Sequence, residues 1–93
     1  MVLAYVLITT IGKKGSEIAS ELTNIPEVDQ IHTLYGEYDI LARVKAANLD
    51  KLREIMFSKI SKIPHINKTT TLIVADQTRE GDNIVKRIGK RLF

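Results

Sequence analysis

Leu34-Tyr35-Gly36-Glu37-Tyr38-Asp39-Ile40-Leu41-Ala42-Arg43-Val44 is the stretch on which the fold turns. After Gly36-Glu37, Ile40, Ala42 and Val44 alternate with Asp39, Leu41, Arg43 and Lys45, the period-two pattern of a strand with one covered face. Residues 28–35 read as a second strand before the glycine, so Gly36-Glu37 is predicted to form a tight hairpin turn between strand two (28–35) and strand three (38–46). An antiparallel pair at mid-chain constrains everything around it.

Working outward, each strand of the hairpin is flanked by a helical pattern. Ser16-Glu17 opens one whose Ile18, Leu22 and Ile25 fall at i, i+4 and i+7, and Pro26 ends it. Asn48 is the expected N-cap of the other, with Asp50 in its first turn and Leu49, Leu52, Met56, Ile60 and Ile63 on one stripe; Pro64 ends that helix.

Outside the helices lie two more strands. Residues 2–10 are apolar in both alternating rows, so both faces of strand one need cover, and Gly12-Lys13-Lys14-Gly15 turns the chain into the first helix. Residues 67–75 are rich in Thr and Ile and form strand four. The two helix exits repeat one phrase, Ile25-Pro26-Glu27-Val28 and Ile63-Pro64-His65-Ile66, which indicates two βαβ halves.

Right-handed crossovers then give an α+β, ferredoxin-like βαββαβ sandwich: a four-stranded antiparallel sheet with two helices on one face. The other face has no element of its own, yet one alternating row of strand one, and part of the others, is apolar there. A buried aliphatic side chain contributes about 1.5 to 3 kcal/mol, against an association cost on the order of 4 to 15 kcal/mol. One or two contacts do not hold a dimer, but a whole sheet face does. A face-to-face homodimer, a dimeric α+β barrel, is therefore expected, with a dimer of dimers or a ring as the next level.

The bulk numbers agree with one small domain. At 93 residues with 44% hydrophobic and 27% charged, the chain has the composition of a folded globular protein. It contains no cysteine, which removes disulfides, thiolate metal sites and Cys nucleophiles and points to the cytoplasm. The apolar run at residues 2–11 is too short to span a bilayer and has Lys13 and Lys14 on the wrong side for a signal peptide. No membrane association is expected.

Charge is uneven. Residues 1–78 hold nine basic and nine acidic side chains, whereas residues 79–93 hold five and two, so the whole net charge of +3 sits in the last fifteen residues. Residues 82–93 are a candidate amphipathic helix: Ile84, Ile88 and Leu92 lie on one line, Asp82 at the start, and Lys86, Arg87, Lys90 and Arg91 toward the end, where cations suit the macrodipole. The expected division is 1–76 for the domain and 77–93 for a basic helical tail. Four basic residues without a base-reading element support at most salt-sensitive, non-specific contact with phosphates. Direct DNA binding is not expected.

The hairpin resembles the signature of the Lrp/AsnC C-terminal domain, also called the RAM domain, which reads Gly, any residue, Tyr, Asp and then a hydrophobic strand ending near Val. Thr69-Thr70-Thr71-Leu72-Ile73-Val74 resembles that domain's Thr-rich last strand, and the Ile-Pro-x-Val exit also fits. The similarity covers roughly residues 1–76. Members often carry Thr where this chain has Tyr35, a departure that bears on how a ligand is held. Full-length members have a helix-turn-helix ahead of this domain, whereas strand one here begins at residue 2, so a stand-alone form is expected. The resemblance implies a sensing and assembly module that oligomerises, holds a small amino-acid ligand between dimers, and acts alone or together with full-length relatives on the transcription of amino-acid metabolism.

In that setting the candidate ligand-binding residues are Tyr35, Gly36, Glu37, Tyr38, Asp39, Thr70 and Thr71. Gly36 can take a positive φ and bring backbone N–H groups to an α-carboxylate, and Asp39 can pair with an α-ammonium. A plain turn needs the same residues, with Gly36 making the bend and Asp39 capping it. Thr70 and Thr71 are expected to line the same cleft. His32 and His65 lack the spacing of a metal site, no cofactor is implied, and neither a nucleophile motif nor paired catalytic carboxylates occur. The rival readings are a small enzyme of the dimeric α+β barrel class, monooxygenase- or isomerase-like, and weak nucleic-acid binding through the tail.

Overall fold

Two βαβ units interlock in the computed structural model, which describes residues 1–75; the expected tail helix and the boundary at 76/77 lie outside the described residues. The order is β1 (Val2–Thr10), α1 (Gly15–Leu22), β2 (Val28–Thr33), β3 (Ile40–Ala46), α2 (Leu49–Ser58), a 3-10 turn (Ile60–Lys62) and β4 (Ile66–Ile73). The sheet runs β2-β3-β1-β4, and every neighbouring pair is antiparallel, because each helical crossover joins two strands that have a third between them. The ferredoxin-like α+β sandwich is the fold expected above.

Packing follows the alternation of the strands. Ala4, Val6 and Ile8 of β1 and Ile40, Ala42 and Val44 of β3 point to the helix side and are fully buried, where they meet Ile18 and Leu22 of α1 and Leu52 and Ile55 of α2. Among the described residues this core contains no buried polar or charged side chain. Its apolar continuity leaves the interior without chemistry.

The helix ends differ from the sequence reading in instructive ways. α1 stops at Leu22 rather than at Pro26: Asn24 and Ile25 donate to the carbonyls of Glu21 and Leu22, so the chain tightens into turns that still bury Ile25. At α2 the Asn48 side chain accepts from Lys51 N at 2.8 Å, the cap expected from its position. This helix ends at Ser58, and the 3-10 turn carries Ile60 and Ile63 onward to Pro64. The buried stripe is rotated from the one anticipated. Leu52 and Ile55 face the sheet, Met56 is half-buried, and Leu49 is 52% exposed, because α2 leans over β3.

The hairpin between β2 and β3 is not tight. The last ladder pair is Thr33 with Ile40, which leaves residues 34–39 as a six-residue loop rather than the two-residue turn expected. The cause is Asp39, whose N–H donates to Ile8 O on β1 at 2.9 Å while Leu34 N donates to Asp39 O at 2.8 Å. Asp39 is thus held at once by β1 and by Leu34 at the end of the second strand, and the reversal is left to residues 35–38.

Candidate functional site

Two regions stand out once the core is set aside: the loop at 34–39 and the sheet face opposite the helices. Gly36 has φ +130°, a conformation open to glycine and strained for L side chains. A Cβ placed there would meet nothing within 4 Å, so the glycine is required by torsion and not by crowding.

Asp39 fixes the loop to the end of β1. Its Oδ2 accepts from Thr10 N at 2.8 Å and from Thr10 Oγ1 at 3.2 Å, a hydroxyl also directed at the Gly12 carbonyl at 3.1 Å. Of the two roles open to Asp39, the capping role is occupied in this structure through one oxygen. No acceptor for the N–H groups of Tyr35, Gly36, Glu37 and Tyr38 is found among the described residues. Tyr35, Gly36 and Glu37 are exposed and Tyr38 is half-buried. The loop therefore carries, on a base anchored by Asp39, a short run of N–H groups without an acceptor among the described residues, the kind of donor a carboxylate or another small anion accepts.

The two threonines do not join this loop. Thr70 pairs with Leu7 and Thr71 with Val6, so successive side chains leave β4 on opposite faces of the sheet. Thr70 lies on the open side and Thr71 on the helix side. Both also flank β1 on its β4 edge, while the loop meets β1 beside Ile8 on its β3 edge. One cleft holding Gly36, Asp39, Thr70 and Thr71 is not present within a single chain.

The open face is the second region. Leu3, Tyr5 and Leu7 of β1 and Leu41 of β3 are half-buried there, and Leu72 of β4 is 53% exposed, with no element of the described chain across them. A bulge between Val28 and Gln30 places Asp29 against the same face. Arg43 donates from Nε to Asp29 Oδ1 and from Nη2 to Oδ2, both at 2.8 Å, and Lys45 Nζ lies 3.1 Å from Oδ2. The Arg43 fork, with Lys45 behind it, holds the Asp29 carboxyl down at about 2. Farther along, hydrogen bonds from Lys59 lower the pKa of Glu27.

Sequence reasoning did not find Thr10 or Asp29 as parts of these regions. Arg43 and Lys45 on one row of a strand were a visible signal for an acidic partner across the ladder. Thr10 gave none, being 29 residues from Asp39. His32 is exposed on β2 and His65 sits at φ 73° before β4, 3.8 Å from Glu17. Among the described residues no three His, Cys, Asp or Glu side chains converge as metal ligands. No described helix is long and apolar enough to cross a membrane.

Comparison with known proteins gives these features a setting. The model of a family described as the Lrp/AsnC ligand binding domain matches residues 3–84. The transcriptional regulator FL11 of Pyrococcus horikoshii is 31% identical over 78 residues, 84% of this chain and 51% of that protein. The chain spans about half the length of the curated regulators it matches. Among solved structures, a hypothetical protein of Pyrococcus horikoshii superposes with TM-score 0.76 at 33% identity, over 87% of this chain and 99% of that one. AsnC of E. coli superposes with TM-score 0.81 at 26% identity, over 86% of this chain and 54% of that one. A regulator of Neisseria meningitidis solved as an L-Met complex shares the fold, with TM-score 0.76 at 16% identity, over 87% of this chain and 54% of that one.

Proposed function

The chain belongs to the Lrp/AsnC ligand-binding-domain family, and from that premise we propose that it is an effector-binding, oligomer-forming module acting on transcription in the cytoplasm without catalysing a reaction. The observation that carries this reading is the pairing of an uncovered apolar sheet face with a glycine loop at its end. Leu3, Tyr5, Leu7, Leu41 and Leu72 provide the surface for a second copy, and the unpaired N–H groups at 35–38 provide donors for the α-carboxylate of an amino acid.

Arg43 lies on the inner strand β3 beside Tyr5, so a face-to-face pair covers the Arg43–Asp29–Lys45 cluster as well, where a bidentate pair fixes register more than it adds affinity. The loop of one dimer then meets a neighbouring dimer, whose walls select the effector side chain. The L-Met bound in the Neisseria structure supports an amino acid as the ligand class. Full-length regulators of the family are the natural partners in mixed assemblies, where this chain would change the number of DNA-reading units. The described interior, apolar throughout, argues against an enzyme pocket between sheet and helices.

A thermal-shift screen of the twenty amino acids, followed by light scattering with and without the best hit, tests the proposal. A ligand present at one hundred times its Kd adds about 2.7 kcal/mol, a rise on the order of 10 °C for a domain of this size. No shift with any amino acid, together with a monomeric mass at micromolar concentration, would refute it.

A further inference from the structure

The open face of the sheet is apolar along β1 and basic on either side of it. The ladders set Arg43 opposite Tyr5, Lys45 opposite Leu3 and Lys68 opposite Thr9, all on the side away from the helices. The bulge in β2 adds Asp29, and His32 stands opposite Leu41. Among the described strand residues the face therefore carries three cations and one carboxylate, a net charge of +2 with His32 neutral. Asp29 is already engaged within the chain by the Arg43 fork and by Lys45. It offsets one cation and leaves the rest of the face positive.

A closed two-fold pair brings the same patch of each copy together, wherever its axis lies. A second copy stacked on this face thus always sets +2 against +2. Stacked sheets lie about 10 Å apart, about one Debye length at 0.1 M salt, so each face feels the charge of the other. No choice of register removes that repulsion. The burial of Leu3, Leu7, Leu41 and Leu72 is non-directional and serves any apolar partner equally. Apolar area then holds a stack together, and charge decides what is stacked.

Resting on the sheet-to-sheet stacking proposed above, we propose that this face prefers a sheet of the same fold with net negative charge over a second copy of itself, with Lys45 and Lys68 as the selecting residues. Both side chains are free to meet a facing carboxylate, Lys45 being 47% exposed and Lys68 exposed on the edge strand. The homodimer is the pair formed when no such partner is present, and mixed pairs replace it when one is.

Mixing the full chain with its Lys45→Glu/Lys68→Glu form, whose face carries −2, tests the preference, with the pairs counted by native mass spectrometry. At about 20 mM salt the mixed pair is expected to be at least roughly tenfold tighter than either homodimer, and most of that advantage should go at about 1 M salt, where the Debye length is about 3 Å. Because the Lys45 change removes a partner of Asp29, Lys68→Glu alone is the second variant, with a smaller preference in the same direction. Random mixing of both forms at low salt would overturn the proposal. The Lys13→Glu/Lys62→Glu form has the same net charge as the first variant but alters residues outside the four strands, and it is expected to mix at random. An equal preference there would assign selection to total charge and also overturn the proposal. A dimer that survives Leu7→Lys would refute the stacking and this inference with it, whereas random mixing of a dimer that Leu7→Lys abolishes would refute this inference alone.

Discussion

Asp39 and Thr10, 29 residues apart, are joined by two hydrogen bonds to one carboxylate oxygen, from the Thr10 N–H at 2.8 Å and its hydroxyl at 3.2 Å. This contact ties the glycine loop to the end of the central strand. Replacing Asp39 with Ala leaves a half-buried N–H without its acceptor, and the expected loss of stability is about 1 to 3 kcal/mol, measured by urea denaturation. Asp39→Asn keeps an acceptor and is expected to lose less. Identical losses for the two variants would show that the carboxylate's hydrogen bonds do not hold the loop.

Gly36 sets the shape of the same loop through its φ of +130°. Gly36→Ala has room for its Cβ, so its cost is torsional, about 1 to 3 kcal/mol. A chemically synthesised chain carrying D-alanine at 36 is expected to recover that loss, because the mirror residue favours positive φ. If D- and L-alanine chains melt at the same temperature, the glycine is not conformationally required. Any thermal shift produced by an amino acid should vanish with L-alanine.

The open face gives a prediction about mass. Leu7 stands between Leu41 and Thr70 on that face, and Leu7→Lys places two ammonium groups in the stacked interface. Losing both leucines removes about 3 to 6 kcal/mol of apolar burial, so dimer affinity is expected to fall more than about 100-fold. Sedimentation at micromolar concentration should show a folded monomer. A dimer unchanged by Leu7→Lys would place the interface elsewhere.

Acid should act through Asp29. Its folded pKa of about 2 lies below the reference value of 3.8, so its contribution is fully present above pH 4 and is lost as pH falls toward 2. The depressed Glu27 pKa adds in the same direction. Asp29 is solvent-accessible, so the effect is small, roughly 2 to 5 °C in Tm over that window. Asp29→Asn is expected to flatten the slope, and an NMR titration giving Asp29 an ordinary pKa would contradict the ion-pair geometry.

How much of this was legible beforehand depended on the range of the forces involved. The order of elements and the buried rows of β1 and β3 follow from alternation, which is local, and the Asn48 cap follows from its place before an apolar stripe. The six-residue loop was not legible, because its boundaries are set by Ile8 and Thr10 acting on Asp39 from another strand. Thr70 and Thr71 could have been separated by the period of two alone. The rotation of α2, which leaves Leu49 exposed, depends on how the helix leans across the sheet and has no signature in its own residues.

The ladder places Ala4 beside Ile73, close to seventy residues later in the chain. β1 therefore acquires its second neighbour only after nearly all the described sequence has been synthesised, and the entropy of closing that long loop falls on the final step of assembly. Until then β1 exposes an unpaired apolar edge to the crowded space around the ribosome. A slow final phase in refolding experiments would be the kinetic trace of that long separation between the central strand and its last neighbour.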